Sequence, residues 1–195
     1  MCYNSLTIAD YFIKRSNANK APLSLYQLIK LIYIAHGWSL SLNDSPLISD
    51  EIKAWENGPV IPSLYEFYTG KGVKVDDLVV IENSNEEINC IKAPHSEILN
   101  KVYAKYGHLE KQGLMTLLHQ EDTPWFSVWN EGKGDGNTID DSETRRYYSN
   151  QITRSDFDSL SEYPEIKTKE DAVKFLQRVG ILLENEELNP AYYES

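Results

Sequence analysis

Apolar residues recur at helical spacing along most of this chain, and most densely between Leu25 and Leu42. Positions 25, 28, 29 and 32 form one apolar stripe there, and positions 31, 34, 35, 38 and 42 form a second. Two stripes bury most of a helix circumference, so this segment, capped by Ser24, is expected to be the central helix of the fold. A shorter helix is expected before it, over Leu6 to Arg15, with Thr7 or Ser5 as its cap and Ile8, Ala9, Phe12 and Ile13 on one face.

Asn43-Asp44-Ser45-Pro46 breaks the central helix, and the period then changes. Pro46 to Ile48 and Ile52 to Trp55 are expected to pair as a hairpin across an acidic turn at Ser49-Asp50-Glu51. Asn57-Gly58-Pro59 reads as the next turn. Pro62 suits the first position of a helix, where its missing N–H is not needed, and that helix runs to about Tyr68 and stops at Gly70. Val73 to Ile81 is strand-like, and Asn83 to Asn89 is a charged loop. Helical spacing returns over Ser96 to Tyr106 and Leu109 to His119. It returns again over Trp125 to Trp129, behind the start signal Asp122-Thr123-Pro124, and over Asp140 to Asn150, with Asp140 or Asp141 at its start.

The pattern predicts a mainly α fold: a compact helical domain around a central buried helix, with a small β-hairpin or three-stranded sheet. Residues 1–150 are assigned to this domain. Residues 151–195 read as a C-terminal extension. There an amphipathic stripe of Ala172, Phe175, Leu176, Val179 and Leu183 follows a capping box at Thr168, and an acidic tail bears Tyr192-Tyr193.

At 195 residues and 41 % hydrophobic, the chain has ample material for a packed core, which excludes a disordered protein. The net charge of −11 narrows the partners. Binding a phosphate backbone needs clustered Lys and Arg, and the densest basic pair, Arg145-Arg146, follows Asp140, Asp141 and Glu143. Direct nucleic-acid binding is not expected, whereas a basic protein partner suits the charge. Cys2 and Cys90 form no CxxC pattern, which fits a reduced, cytoplasmic chain. No signal-peptide pattern opens the sequence and no 18-residue apolar run occurs, so no membrane association is expected.

Candidate chemistry is sparse. His36, His95, His108 and His119 show no HxH and no i,i+4 pair, and zinc needs about four N or S ligands. His36 is expected as a hydrogen-bonded core residue, and His119 at a helix end, where a cation suits the dipole. No serine lies in a GxSxG elbow, and Cys90 has only His95 near it in sequence. The segment GKGDGN, residues 132–137, lacks both the GK[ST] of a phosphate loop and the spacing of a calcium loop, and reads as a flexible connector. The pairs Asp76-Asp77, Glu86-Glu87 and Asp140-Asp141 are adjacent and so diverge, whereas acid–base work needs groups that converge. Neither an enzyme nor a cofactor is expected. The aromatics remain. Most read as core, but Trp and Tyr also anchor protein interfaces, and Tyr65 and Tyr68 beside Trp55 form a candidate docking surface.

The blocks ADYFI, LSLYQLIKLIYIAHGWSL, DEIKAWENGPVIPSLYEFY and LMTLLHQEDTPWFSVWNEG follow one another in this order. With the Asp140 to Tyr148 helix they resemble the Panacea-domain antitoxin family, the SocA- and GepA-like proteins, over about residues 5–150. The combination K-L-x-Y-x-A-H-G-W, from Lys30, then A-W-x-x-G-P-V-x-P, from Ala54, is the specific part. One departure is Leu28-Ile29-Lys30-Leu31, where the family often has Gln-Lys-Leu. The resemblance implies a mostly helical fold with a small sheet, and an antitoxin that neutralises a cognate toxin by direct binding. In some members the domain also hands its toxin to a protease. The motif residues it carries over are His36, Gly37, Trp38, Ala54, Trp55, Gly58, Pro59, Pro62, His119, Thr123, Pro124 and Trp125. On this reading Trp55 wedges the hairpin onto the central helix around Trp38, and Tyr65 and Tyr68 form a presented rim. Two alternatives stand beside it: a phage or mobile-element protein acting on a host protein, and an enzyme whose site assembles only in three dimensions.

Overall fold

A computed structural model describes residues 2–79 and 91–152. The elements are α1 (Ser5–Ala18), α2 (Leu25–Asn43), β1 (Lys53–Trp55), β2 (Gly58–Val60), α3 (Pro62–Thr69), α4 (His95–Tyr106), α5 (Lys111–Leu118), α6 (Pro124–Trp129) and α7 (Asp141–Gln151). The fold is mainly helical, with one two-stranded antiparallel sheet among the described residues.

The central helix forms as its two stripes require. Ser24 caps it with a capping box: its hydroxyl accepts from Gln27 N–H, and the Gln27 side chain accepts from Ser24 N–H at 2.9 Å. From Leu25 to Leu40 every residue except Gln27 is buried. Helix α1 supplies Ile8, Ala9, Phe12 and Ile13 to the core, all fully buried. Its cap is Asn4, whose side chain accepts from Leu6 N–H at 2.8 Å, and not Ser5 or Thr7. Ser5 is already inside the helix and gives its N–H and hydroxyl to Asp50. Helix α7 packs on α2 more extensively than any other element. The contact is close because Gly37 has no side chain: a Cβ there would lie 2.1 Å from Cδ2 of Tyr148.

The hairpin differs from the expected one. Strand β1 pairs with β2 in the register Lys53↔Val60, Ala54↔Pro59, Trp55↔Gly58, so the turn is Glu56-Asn57. Gly58 and Pro59 are strand residues rather than turn residues. Gly58 takes φ +99°, which only glycine adopts freely, and this lets the chain reverse within two residues. Ala54 N–H points away from β2, to the Asn137 carbonyl at 2.9 Å, so the pair opposite Pro59 needs no N–H from the proline. Ser49-Asp50-Glu51 makes no hairpin turn; Ile48 instead forms a parallel bridge with Tyr3.

Two loops also depart from expectation. Residues 132–137 are tied down: Gly136 N–H donates to the Ala54 carbonyl at 2.7 Å, and Ile139 N–H to Ile52 at 2.8 Å, along the outer edge of β1. Residues 73–79 form no strand beyond a single bridge at Leu78. Their carbonyls at Asp77 and Val75 accept from Leu25 and Tyr26 N–H, satisfying donors that the first turn of a helix leaves orphaned. The charged loop at Asn83 to Asn89, Cys90 and the amphipathic stripe of Ala172 to Leu183 lie outside the described residues. Among the described residues no helix is long and apolar enough to cross a membrane.

Candidate functional site

Most of the motif residues meet at one place, the seat of the β1–β2 hairpin on the N-terminal half of α2. Lys30, 1 % exposed, reaches across from α2 and donates from Nζ to the Pro59 carbonyl at 2.8 Å. One turn earlier, Tyr26 donates from its hydroxyl to the Asn57 carbonyl at 3.2 Å. The Lys30 ammonium also lies over the Tyr26 ring, 4.7 Å from its centroid. Gly58 fills the gap between Lys30 and the end of α5: a Cβ on it would lie 3.0 Å from Lys30 Nζ and 3.1 Å from His119 Nε2.

The hairpin is gripped from its other side by α6. Thr123 caps α6 by accepting from Phe126 N–H at 3.2 Å, donates to the Leu118 carbonyl at 3.0 Å, and is followed by Pro124 at the first helical position. This fixes Trp125, whose Nε1–H donates to the Trp55 carbonyl at 2.8 Å. His119 stacks on the Trp125 ring at 3.9 Å between centroids, and Trp129 stacks near-parallel at 5.8 Å.

Burial sets the protonation states. The Lys30 amine is pushed down to about 7, first by burial and then by nearby Lys111. His119 is pushed below its usual value by burial and by Lys30, against an opposing hydrogen bond to the Asn57 backbone. It therefore serves as a neutral stacking ring rather than as the helix-end cation the sequence suggested.

The remaining motif residues serve the scaffold elsewhere. His36 is buried and accepts from Ile48 N–H at Nδ1, 3.3 Å, which leaves Nε2–H to donate to Asp141 at 2.9 Å. It is the hydrogen-bonded core histidine its helix position predicted. Trp38 is buried edge-to-face with Tyr106. Trp55 does not pack around it; Trp55 is half-buried and meets Tyr65 edge-to-face at 5.2 Å, facing the other half of α2. Pro62 opens α3 as predicted. Tyr68 is 7 % exposed and belongs to the core, so of the two tyrosines only Tyr65 reaches a rim.

Between the hairpin, α2 and α3 a cleft of about 300 Å³ opens. Tyr26, Ile29, Val60, Trp55, Tyr65 and Val75 form its walls, Lys30 its buried end, and Glu56 and Asp135 its exposed rim. Sequence reading passed over Lys30. The available signal was a lysine set among apolar residues on a helix with no polar face. A second depression, beside His36, is lined by Asp50, Glu51, Asp140 and Asp141, but its carboxylates are engaged. Asp50 holds Ser5, Asp141 holds His36, and Asp140 caps α7 by accepting from Ser142 N–H at 2.7 Å. Among the described residues no group of three or more His, Cys, Asp or Glu could hold a metal ion.

Lys30 gives the fold a pH signature. Its folded pKa lies below the unfolded value of 10.5, so between about pH 7 and pH 10 the unfolded chain holds a proton the folded chain has released, and stability rises with pH. Tyr26 and Tyr68, pushed up to about 12 by burial, act the other way, but only above the unfolded tyrosine value of 10.0. His95 and His119 are lowered and act below 6.5. Denaturant midpoints are expected to climb from about pH 7 to pH 9.5 and to stay level over the same range in Lys30→Met. Equal slopes for both proteins would show that Lys30 titrates as an exposed lysine.

Comparison with known proteins places these features. The family model described as "Antitoxin SocA-like, Panacea domain" matches residues 28–126, a segment that runs from within α2 to α6 and contains Lys30, the hairpin, His119 and Trp125. "Antitoxin SocA" of Caulobacter vibrioides (strain NA1000 / CB15N) is 26 % identical over 129 residues, covering 63 % of this chain and 69 % of the relative. No solved structure matches the chain. With the family's segment spanning half of the sequence, the chain belongs to the SocA-like, Panacea-domain antitoxin family.

Proposed function

We propose that the chain is an antitoxin that neutralises a toxin protein by binding it, without catalysing a reaction of its own. Membership of the antitoxin family carries this reading. Two structural features support it. The motif residues Lys30, Gly58, Pro59, His119 and Trp125 are consumed in holding one hairpin rigid, which suits a preorganised binding surface better than a reaction centre. Beside that hairpin, Trp55 and Tyr65 stay half-buried and unspent, the residue types that anchor interfaces. The net charge of −11 favours a basic partner and speeds encounter with it.

The test is co-expression with the product of the open reading frame beside its gene. Growth arrest by that product is expected to be relieved, and the two chains are expected to co-purify at unchanged protein levels. Persistent arrest without co-purification, or turnover of a substrate by the isolated chain, overturns the reading.

A further inference from the structure

We propose that the cleft between the hairpin, α2 and α3 receives an arginine side chain of the bound partner, between its aromatic walls and under its two rim carboxylates. The inference rests on the binding reading above and specifies its chemistry. At about 300 Å³ the cleft is at the lower limit of small-molecule pockets, about 300–1,000 Å³, and suits one long side chain. Its walls present Trp55 and Tyr65, and a guanidinium stacks on aromatic faces more readily than an ammonium because it is planar and weakly hydrated. Glu56 and Asp135 stand exposed at the mouth, and among the described residues neither has an ion pair. Either can take the fork of an arginine in a charge-assisted pair.

The resident cations occupy Tyr26, whose ring carries Lys30 Nζ at 4.7 Å and Lys111 Nζ at 5.3 Å, and leave the Trp55 and Tyr65 side of the cleft and its rim to the incoming guanidinium. Lys30 is buried and committed to the Pro59 carbonyl, and Lys111 is paired with Asp76 at 2.8 Å. A partner carboxylate would meet the two rim acids before reaching Lys30. An apolar side chain would use the walls and leave both carboxylates unpaired. Arginine uses walls and rim together.

The test uses the full chain and N-acetyl-arginine amide as probe, with the N-acetyl-lysine and N-acetyl-glutamate amides as controls, followed by NMR. Saturable shifts are expected at the Trp55 indole N–H and at the Glu56 and Asp135 amides, with the arginine probe the tightest. In the double variant Glu56→Gln, Asp135→Asn, both changes at exposed positions, the affinity is expected to fall about tenfold. Shifts scattered over the surface, equal binding of the lysine probe, or preference for the glutamate probe overturn the proposal. Co-expression separates this failure from that of the parent reading. If the unaltered chain relieves growth arrest and the double variant does so equally well, the arginine proposal falls and the antitoxin reading stands. If the unaltered chain gives no relief, the antitoxin reading falls, and the probe titration alone decides the cleft.

Discussion

Trp125→Ala is expected to lose about 3–5 kcal/mol of stability, the range for removing a large buried aromatic. Trp125 is 4 % exposed and sits between two rings, His119 at 3.9 Å and Trp129 at 5.8 Å. Its removal takes a stacking partner from both and opens a cavity that short α6, only six residues long, has little freedom to close. It also strips the Trp55 carbonyl of the indole donor that ties the hairpin to α6. Trp125→Phe separates the two contributions. It keeps an aromatic ring for stacking, and loses the N–H, worth about 1 kcal/mol net, together with the packing of the smaller of the two fused rings. Chemical denaturation of both variants checks the ranking. If the alanine variant lost less than the phenylalanine variant, the ring would not be packed as described.

Gly37→Ala is expected to run against helix propensity. In the interior of a helix this change ordinarily stabilises by up to about 1 kcal/mol. Here the new Cβ would lie 2.1 Å from Cδ2 and 2.2 Å from Cε2 of Tyr148, well inside contact distance. Tyr148 is fully enclosed and edge-to-face with Tyr33, so it has no room to retreat, and α7 must move off α2 instead. Overpacking of this kind destabilises by about 1–3 kcal/mol or more. A double-mutant cycle gives the decisive sign. In a Tyr148→Ala background the obstruction is gone, and Gly37→Ala should become neutral or stabilising. Additive effects in the cycle would mean that α2 and α7 do not approach closely at this glycine.

How much of this was legible from residues alone varies by element, for physical reasons. Helix α2 announced itself because burial on all sides, a Ser24 cap and a terminal Asp44 all point the same way. Pro62 and Thr123-Pro124 marked their helix starts because a proline at the first helical position has a local cause. The hairpin was misplaced because its strands are three residues long and one of them is Gly-Pro-Val, a composition that local rules assign to turns. What makes Gly58-Pro59 a strand is tertiary: Lys30 anchors its carbonyl from a distant helix, and residues 136–139 cover the opposite edge of β1. Tyr65 and Tyr68 show the same limit. Three residues apart on one short helix, they looked alike in sequence, and only the packing of α3 sends Tyr68 into the core and leaves Tyr65 on the cleft.

The two helices that flank α2 at the ends of the described chain, α1 and α7, fall outside the stretch that the family model matches, residues 28–126. A fragment trimmed to that stretch would begin three residues inside α2, without Ser24 and its box. It would also strip Phe12 and Tyr148 from the core and leave greasy flanks of the longest helix bare to water. The portion that the family model matches is thus smaller than the portion that must be made for any of it to fold, and pieces excised at the borders of that match should clump rather than bind.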